Sequence, residues 1–216
     1  MFKWFWPGIT WTAALTALAL WFAADRVETD IATRTGAALA PFVWTGLDVD
    51  GRDVTLKGIA PDPEAQSAAQ DALAKVWGIR EITDLTSVLP LVSPYALQIR
   101  KSADGIILSG SVPDNDVRDR IMTAAESAAP GIPLDDQMAM GRGSPPDFAD
   151  SVEFALQLLS GLREGGEIGI SDRNISIKGR AADTASYQKL ESRLNSPLPF
   201  GLTAGQVEIG EAELQQ

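Results

Sequence analysis

The chain has 216 residues, with 29 acidic against 18 basic, a net charge of −11, and neither cysteine nor histidine. Those two absences exclude disulfides, thiolate nucleophiles, zinc–thiolate sites, and Ser-His-Asp or Cys-His catalysis. The negative field, with no cluster of Lys or Arg to override it, sets the chain against nucleic acid and against anionic headgroups, so no nucleic-acid partner is expected.

Residues 1–24 carry no charge apart from Lys3 and are largely apolar. Trp4 to Ala24 is uncharged and would run about 31 Å as a helix at roughly 1.5 Å per residue, enough to span a bilayer core. Trp4, Trp6 and Trp21 fall near its ends, where indole rings favour the membrane interface, and Trp11 lies nearer the middle. The segment reads as an uncleaved transmembrane anchor, contacting the membrane through these four tryptophans. The rival reading is a signal peptide with a cleavage site at Ala17-Leu18-Ala19 or after Ala24. With Lys3 before the segment and Asp25, Arg26, Glu28 and Asp30 after it, the positive-inside rule puts the N-terminus in the cytoplasm and the rest outside it.

From Arg26 to Leu39 one apolar stripe at helical spacing (Val27, Ile31, Ala38, Leu39) predicts an amphipathic helix. Trp44 to Val49 reads as a strand and Asp50-Gly51 as a hairpin turn. The returning strand opens a motif that occurs three times: Asp53-Val-Thr-Leu-Lys-Gly58-Ile-Ala-Pro-Asp62, Gly105-Ile-Ile-Leu-Ser-Gly110-Ser-Val-Pro-Asp114, and Asn174-Ile-Ser-Ile-Lys-Gly179-Arg-Ala-Ala-Asp183. Each copy alternates apolar and polar residues, then places a glycine in phase with the apolar face and an aspartate four residues later. Alternation predicts a strand with one buried face. The glycines are expected beneath a helix of their own unit. Asp62, Asp114 and Asp183 are expected as N-caps, with Pro63 at the first helical position of the first copy.

Three copies in register make this a repeat protein. The predicted units are α+β: 25–89 (helix, strand, strand, helix, strand), 90–146 (the same without the leading helix, ending in the linker-like 141–146), and 147–210 (complete). Residues 1–24 stand as the anchor and 211–216 as an acidic tail. The unit order, the V-T-L-x-G strand and the aspartate cap resemble BON domains, small α+β modules of bacterial envelope proteins. The whole arrangement resembles the front part of OmpA-family envelope proteins, in which an OmpA-like peptidoglycan-binding domain usually follows. The resemblance brings no catalytic residues and implies attachment to a phospholipid surface or to another envelope component.

Other chemistry-bearing residues have plainer readings. Asp48-Val-Asp50-Gly51-Arg-Asp53 echoes a calcium loop but lacks the downstream bidentate glutamate, and it reads as a hairpin turn. Asp114 with Asp116, and Asp135 with Asp136, could pair carboxylates, yet a cap and a solvated edge account for them. Gly165-Gly166 lacks a following Lys-Ser/Thr and reads as a break between helix and strand. Trp44 and Trp77 are expected as core residues.

No enzyme, metal or cofactor is therefore expected. The sequence points to an inner-membrane, single-pass protein whose periplasmic repeats act as an adaptor, binding a membrane surface or an envelope protein of unspecified identity. The alternative is a structural accessory subunit of a larger membrane complex, held through its transmembrane helix.

Overall fold

A computed structural model of the chain describes residues 5–211. The fold is mixed α+β and divides into two compact units, Met1–Leu89 and Pro90–Gln216.

The first unit opens with one continuous helix, α1 (Phe5–Leu39). This corrects the transmembrane expectation: among the described residues no helix is long and apolar enough to cross a membrane. The apolar stretch is diluted by Trp6, Pro7, Gly8, Thr10, Trp11, Thr12 and Thr16, and the helix continues without a break through Asp25, Arg26, Glu28 and Asp30. The anchor and the amphipathic helix read as separate in the sequence are thus one element. Of the four proposed interfacial tryptophans, Trp4 lies outside the described residues, as do the side chains of Trp6 and Trp21, while Trp11 is exposed on α1.

The rest of this unit is β1 (Thr45–Asp50), β2 (Asp53–Ala60), α2 (Pro63–Ala74) and β3 (Glu81–Val88). The sheet order is β1-β2-β3, with β1 antiparallel and β3 parallel to β2. Ile31 and Leu39 of α1 close over Val54 and Leu56 of β2 and over Ala69 and Leu73 of α2 to form its core. Thr35, wholly buried between Ile31 and Leu39, satisfies its hydroxyl on the Ile31 carbonyl at 2.7 Å.

The second unit contains β4 (Ala96–Lys101), β5 (Ile106–Val112), α3 (Asn115–Ala128), β6 (Leu134–Met140), α4 (Phe148–Leu159), β7 (Glu167–Ser171), β8 (Asn174–Arg180), α5 (Thr184–Leu194) and β9 (Thr203–Gly210). Its six strands form one sheet in the order β6-β5-β4-β7-β8-β9. The second and third copies of the motif therefore lie on β5 and β8 of a single sheet, joined where β4 pairs antiparallel with β7. The helix α4 packs on both β4 and β7 and against α3. It is buried on nearly every side, from Phe148 and Val152 to Phe154, Ala155, Leu158 and Leu159, as a helix must be when neighbours flank it all round. Tyr95 lies wholly buried against Phe148, ring edge to face at 5.0 Å, and donates its hydroxyl proton to the Gly141 carbonyl at 3.0 Å.

Candidate functional site

The repeated motif builds the same corner three times. Val54 and Leu56, Ile106 and Leu108, and Ile175 and Ile177 are buried, and the glycine two residues on keeps their phase. Gly58 and Gly110 have φ of 128° and 127°, and Gly179 has 152°, a region that side-chain-bearing residues rarely enter. A Cβ at Gly58 would stand 2.2 Å from the Trp44 carbonyl oxygen, one at Gly110 2.3 Å from the Ala96 carbonyl oxygen, and one at Gly179 2.9 Å from the Cα of Gly166. Each obstacle is backbone at the entry to the antiparallel neighbour strand. The close approach that demands glycine is therefore made by the neighbouring strand, and the expected covering helix is not its cause.

Beyond each glycine the chain turns into a helix capped by the aspartate. Asp62 accepts the Ala65 amide at 2.7 Å, Asp114 the Val117 amide at 2.8 Å, and Asp183 the Ser186 amide at 2.6 Å. The Ser186 amide and hydroxyl hold the Asp183 carboxyl below the usual carboxylate range.

Most of the other acidic residues singled out in the sequence are engaged locally. In the hairpin Asp48–Asp53, Asp48 pairs with Lys57 at 3.1 Å, Asp53 takes the Arg80 guanidinium with Nε at 2.8 Å, and Gly51 turns at φ 61°. The Arg80 hydrogen bond lowers the Asp53 pKa. Asp136 takes Arg118 at 2.6 Å, which lowers its pKa, while Asp135 accepts from Gln137 at 2.7 Å. Asp84 is pushed up by burial, but hydrogen bonds from Thr86 and Gln70 outweigh this and lower it overall. Asp114 and Asp116 stand at the start of α3, one as its cap and the other in its first turn. Gly165, at φ 82°, and Gly166 make the turn into β7. Among the described residues no group of three acidic side chains could hold a metal ion.

The tryptophans part company. Trp44 is half buried against the first core, edge-on to Phe42 at 6.5 Å. Trp77, expected in the core, is 82% exposed. Arg34 lies over its ring at 5.5 Å and donates to its carbonyl at 2.9 Å, so a helix residue of α1 holds the ring at the surface.

What the second unit presents as a site is the seam itself. Across it Leu97 faces Ile170 and Ile99 faces Ile168 on the buried side, with all four at most 1% exposed. On the open side Arg100 pairs with Glu167 at 2.8 Å. A shallow groove of about 190 Å³ crosses the seam on this open face, lined in part by Gln98, Gly169, Ser176 and Lys178. Both edges of β4 and of β7 are paired, so this surface can bind only through the side chains of its open face, and it gathers no acid, base and nucleophile around one point.

A family model for the BON domain matches residues 28–90, and one for the BON-like domain matches residues 97–140. The chain carries a BON domain and, after it, a BON-like domain. The first BON match covers the α1–β3 unit from the charged part of α1 onward, and the second covers β4 to β6. Neither match extends to the OmpA-family likeness. BON domains are in general non-enzymatic binding modules of envelope proteins. No curated protein matches this BON protein in sequence. The solved structures similar to it include two of CdsD, a structural protein of the type III secretion system of Chlamydia trachomatis. One is 10% identical, covers 85% of this chain and 94% of that one, and superposes with a TM-score of 0.31. The other, of the CdsD C-terminal domain, is 9% identical, covers 86% and 98%, and also scores 0.31. Superpositions this loose bear on neither fold nor role.

Proposed function

We propose that this BON-domain protein is a non-enzymatic binding component of the bacterial cell envelope, acting on the periplasmic side as an adaptor whose BON units engage an envelope protein. Residues 147–210, which repeat the helix-strand-strand-helix-strand order, act as a third BON-like unit. The observation that carries this reading is the β4–β7 seam, where two units of the same design associate through their first strands. A module that joins its own neighbour by backbone pairing has the equipment to join another protein the same way. A membrane surface is the weaker partner. The net charge of −11 opposes anionic headgroups, and the basic residues Lys57, Arg80, Arg100, Arg118 and Arg120 are already paired with carboxylates.

The test is size-exclusion chromatography of gently solubilised envelope extract, followed through this chain. The reading expects a complex larger than the chain that limited proteolysis of its partner dissolves and phospholipase leaves intact. A complex dissolved by phospholipase alone, or a chain eluting free, contradicts it.

A further inference from the structure

The three hairpins align on the motif glycine. Two residues before each glycine, Leu56, Leu108 and Ile177 pair with Leu47, Ile99 and Ile168 respectively. Leu47, Ile99 and Ile168 are therefore the same position of the unit. In the seam Ile99 lies opposite Ile168, so the second and third copies meet about an approximate twofold axis through equivalent residues. The first strands β4 and β7 both spend their outer edge on this contact. The corresponding strand of the first unit, β1, ends its sheet, and among the described residues no strand lies on its outer side.

Burial records the difference. Leu97, Ile99, Ile168 and Ile170 are at most 1% exposed, whereas Thr45, Leu47 and Val49 of β1, on the matching face, are only half buried. The backbone is equally matched. Lys101 donates its amide across the seam to Gly166 at 2.8 Å, and Lys101 is the counterpart of Val49. Because ladder bonds alternate in direction along an antiparallel strand, the Val49 amide points to the outer edge of β1.

We propose that β1 is a strand-acceptor edge, taking an extended segment of a partner protein in the register that β4 takes on β7, with apolar residues facing Leu47 and Val49 and a cationic residue facing Asp48. This rests on the reading of the chain as a protein-binding adaptor and names its surface. The charge comes from the open face of β1, which carries exposed Asp50 and Asp48, the latter in a solvent-exposed pair with Lys57 that a partner cation can share, beside Gly46, which leaves room for a long side chain opposite it. Arg100 against Glu167 is the same complementarity inside the seam. A second copy of the chain is the poorer occupant. Over the seam one helix, α4, packs on both first strands. A second copy would add its own α1 there, while strands sit about 4.8 Å apart and helices need 8–10 Å.

The probe is a synthetic peptide with the sequence of residues 94–102 carrying Gln98→Lys, the residue that the seam register sets opposite Asp48. It is titrated into the full chain, with amide hydrogen exchange as the readout. Saturable binding that slows exchange at Leu47 and Val49 is expected. Val49→Pro removes the outward donor at an edge position where proline is tolerated, and should weaken binding roughly tenfold while leaving the melting temperature close to that of the parent. A Gln98→Glu peptide should also bind more weakly than Gln98→Lys. The inference is overturned by no binding, by protection at β7 in place of β1, by equal affinity for Val49→Pro, or by self-association of the chain through β1. Each of these failures leaves the envelope complex of the preceding section to be found or not on its own account.

Discussion

A Cβ on Gly58 would stand 2.2 Å from the carbonyl oxygen of Trp44, the residue that leads into the antiparallel strand beside it. The same contact recurs between Gly110 and Ala96. The obstacle is a backbone atom, which cannot rotate away, and φ near 127° adds strain for any residue but glycine. Gly58→Ala and Gly110→Ala should therefore each lose about 2–5 kcal/mol. Gly46→Ala, whose Cβ would meet Lys57 at an ordinary 3.7 Å, should unfold with the parent. Urea titration of the three variants checks this, and equal midpoints for all would show the motif glycine to be replaceable.

Gly36 makes the opposite prediction. It sits inside α1, where a Cβ would meet nothing within 4 Å. Gly36→Ala removes backbone freedom from the unfolded chain and should stabilise the first unit by up to about 1 kcal/mol, seen as a higher urea midpoint. A lower midpoint would mean that the helix surface at Gly36 is covered.

The aspartate caps and ion pairs set the acid behaviour. The carboxyls of Asp183 and Asp136 titrate below their ordinary value, held by the Ser186 amide and by Arg118. The folded state then binds fewer protons than the unfolded one, so their stabilisation is complete above the unfolded pKa of about 4 and fades as pH falls through the lowered folded value. Stability should drop below about pH 4, and Asp136→Asn should flatten that acid limb. Asp114→Ala, which removes the α3 cap, should lose about 1 kcal/mol at neutral pH. Denaturant midpoints across a pH series check both, and an unchanged acid slope in Asp136→Asn would contradict the assignment.

Charge predicts what the domains do with lipid. Residues 25–216 carry 29 acidic and, without Lys3, 17 basic groups. Polybasic recruitment gains about 1 kcal/mol per cation near the surface, and here the balance runs the other way. This fragment should stay in the supernatant with phosphatidylglycerol vesicles at low salt. Tight, salt-sensitive sedimentation would restore headgroup binding as the function.

The strands and caps were legible because their causes are local. Alternation at Val54 and Leu56 and an aspartate four residues past the glycine each act within a few residues of chain. The glycine's purpose was misread because its obstacle, the Trp44 carbonyl, comes from another strand. Trp77 was misread because its exposure depends on Arg34, more than forty residues away. An uncharged span with tryptophans near its ends suggested an anchor at residues 1–24, whereas α1 runs on through charged residues as one helix. The seam left one trace in sequence: α4 is apolar on nearly every face (Phe148, Val152, Phe154, Ala155, Leu158, Leu159), more than one covered strand pair requires. Which strand edges meet depends on pairing between units, and no single strand encodes it.

The most direct measurement of the central claim, that the BON units work by binding a protein, is photo-crosslinking in the source cells. A photoreactive residue placed in turn at exposed Gly46 on β1, Leu85 on β3, Thr123 on α3 and Phe200 before β9 would report which surface is covered. The account predicts a discrete protein adduct, strongest from position 46. An adduct from another position alone would move the binding surface while keeping the function. Lipid adducts or none from all four positions would contradict it.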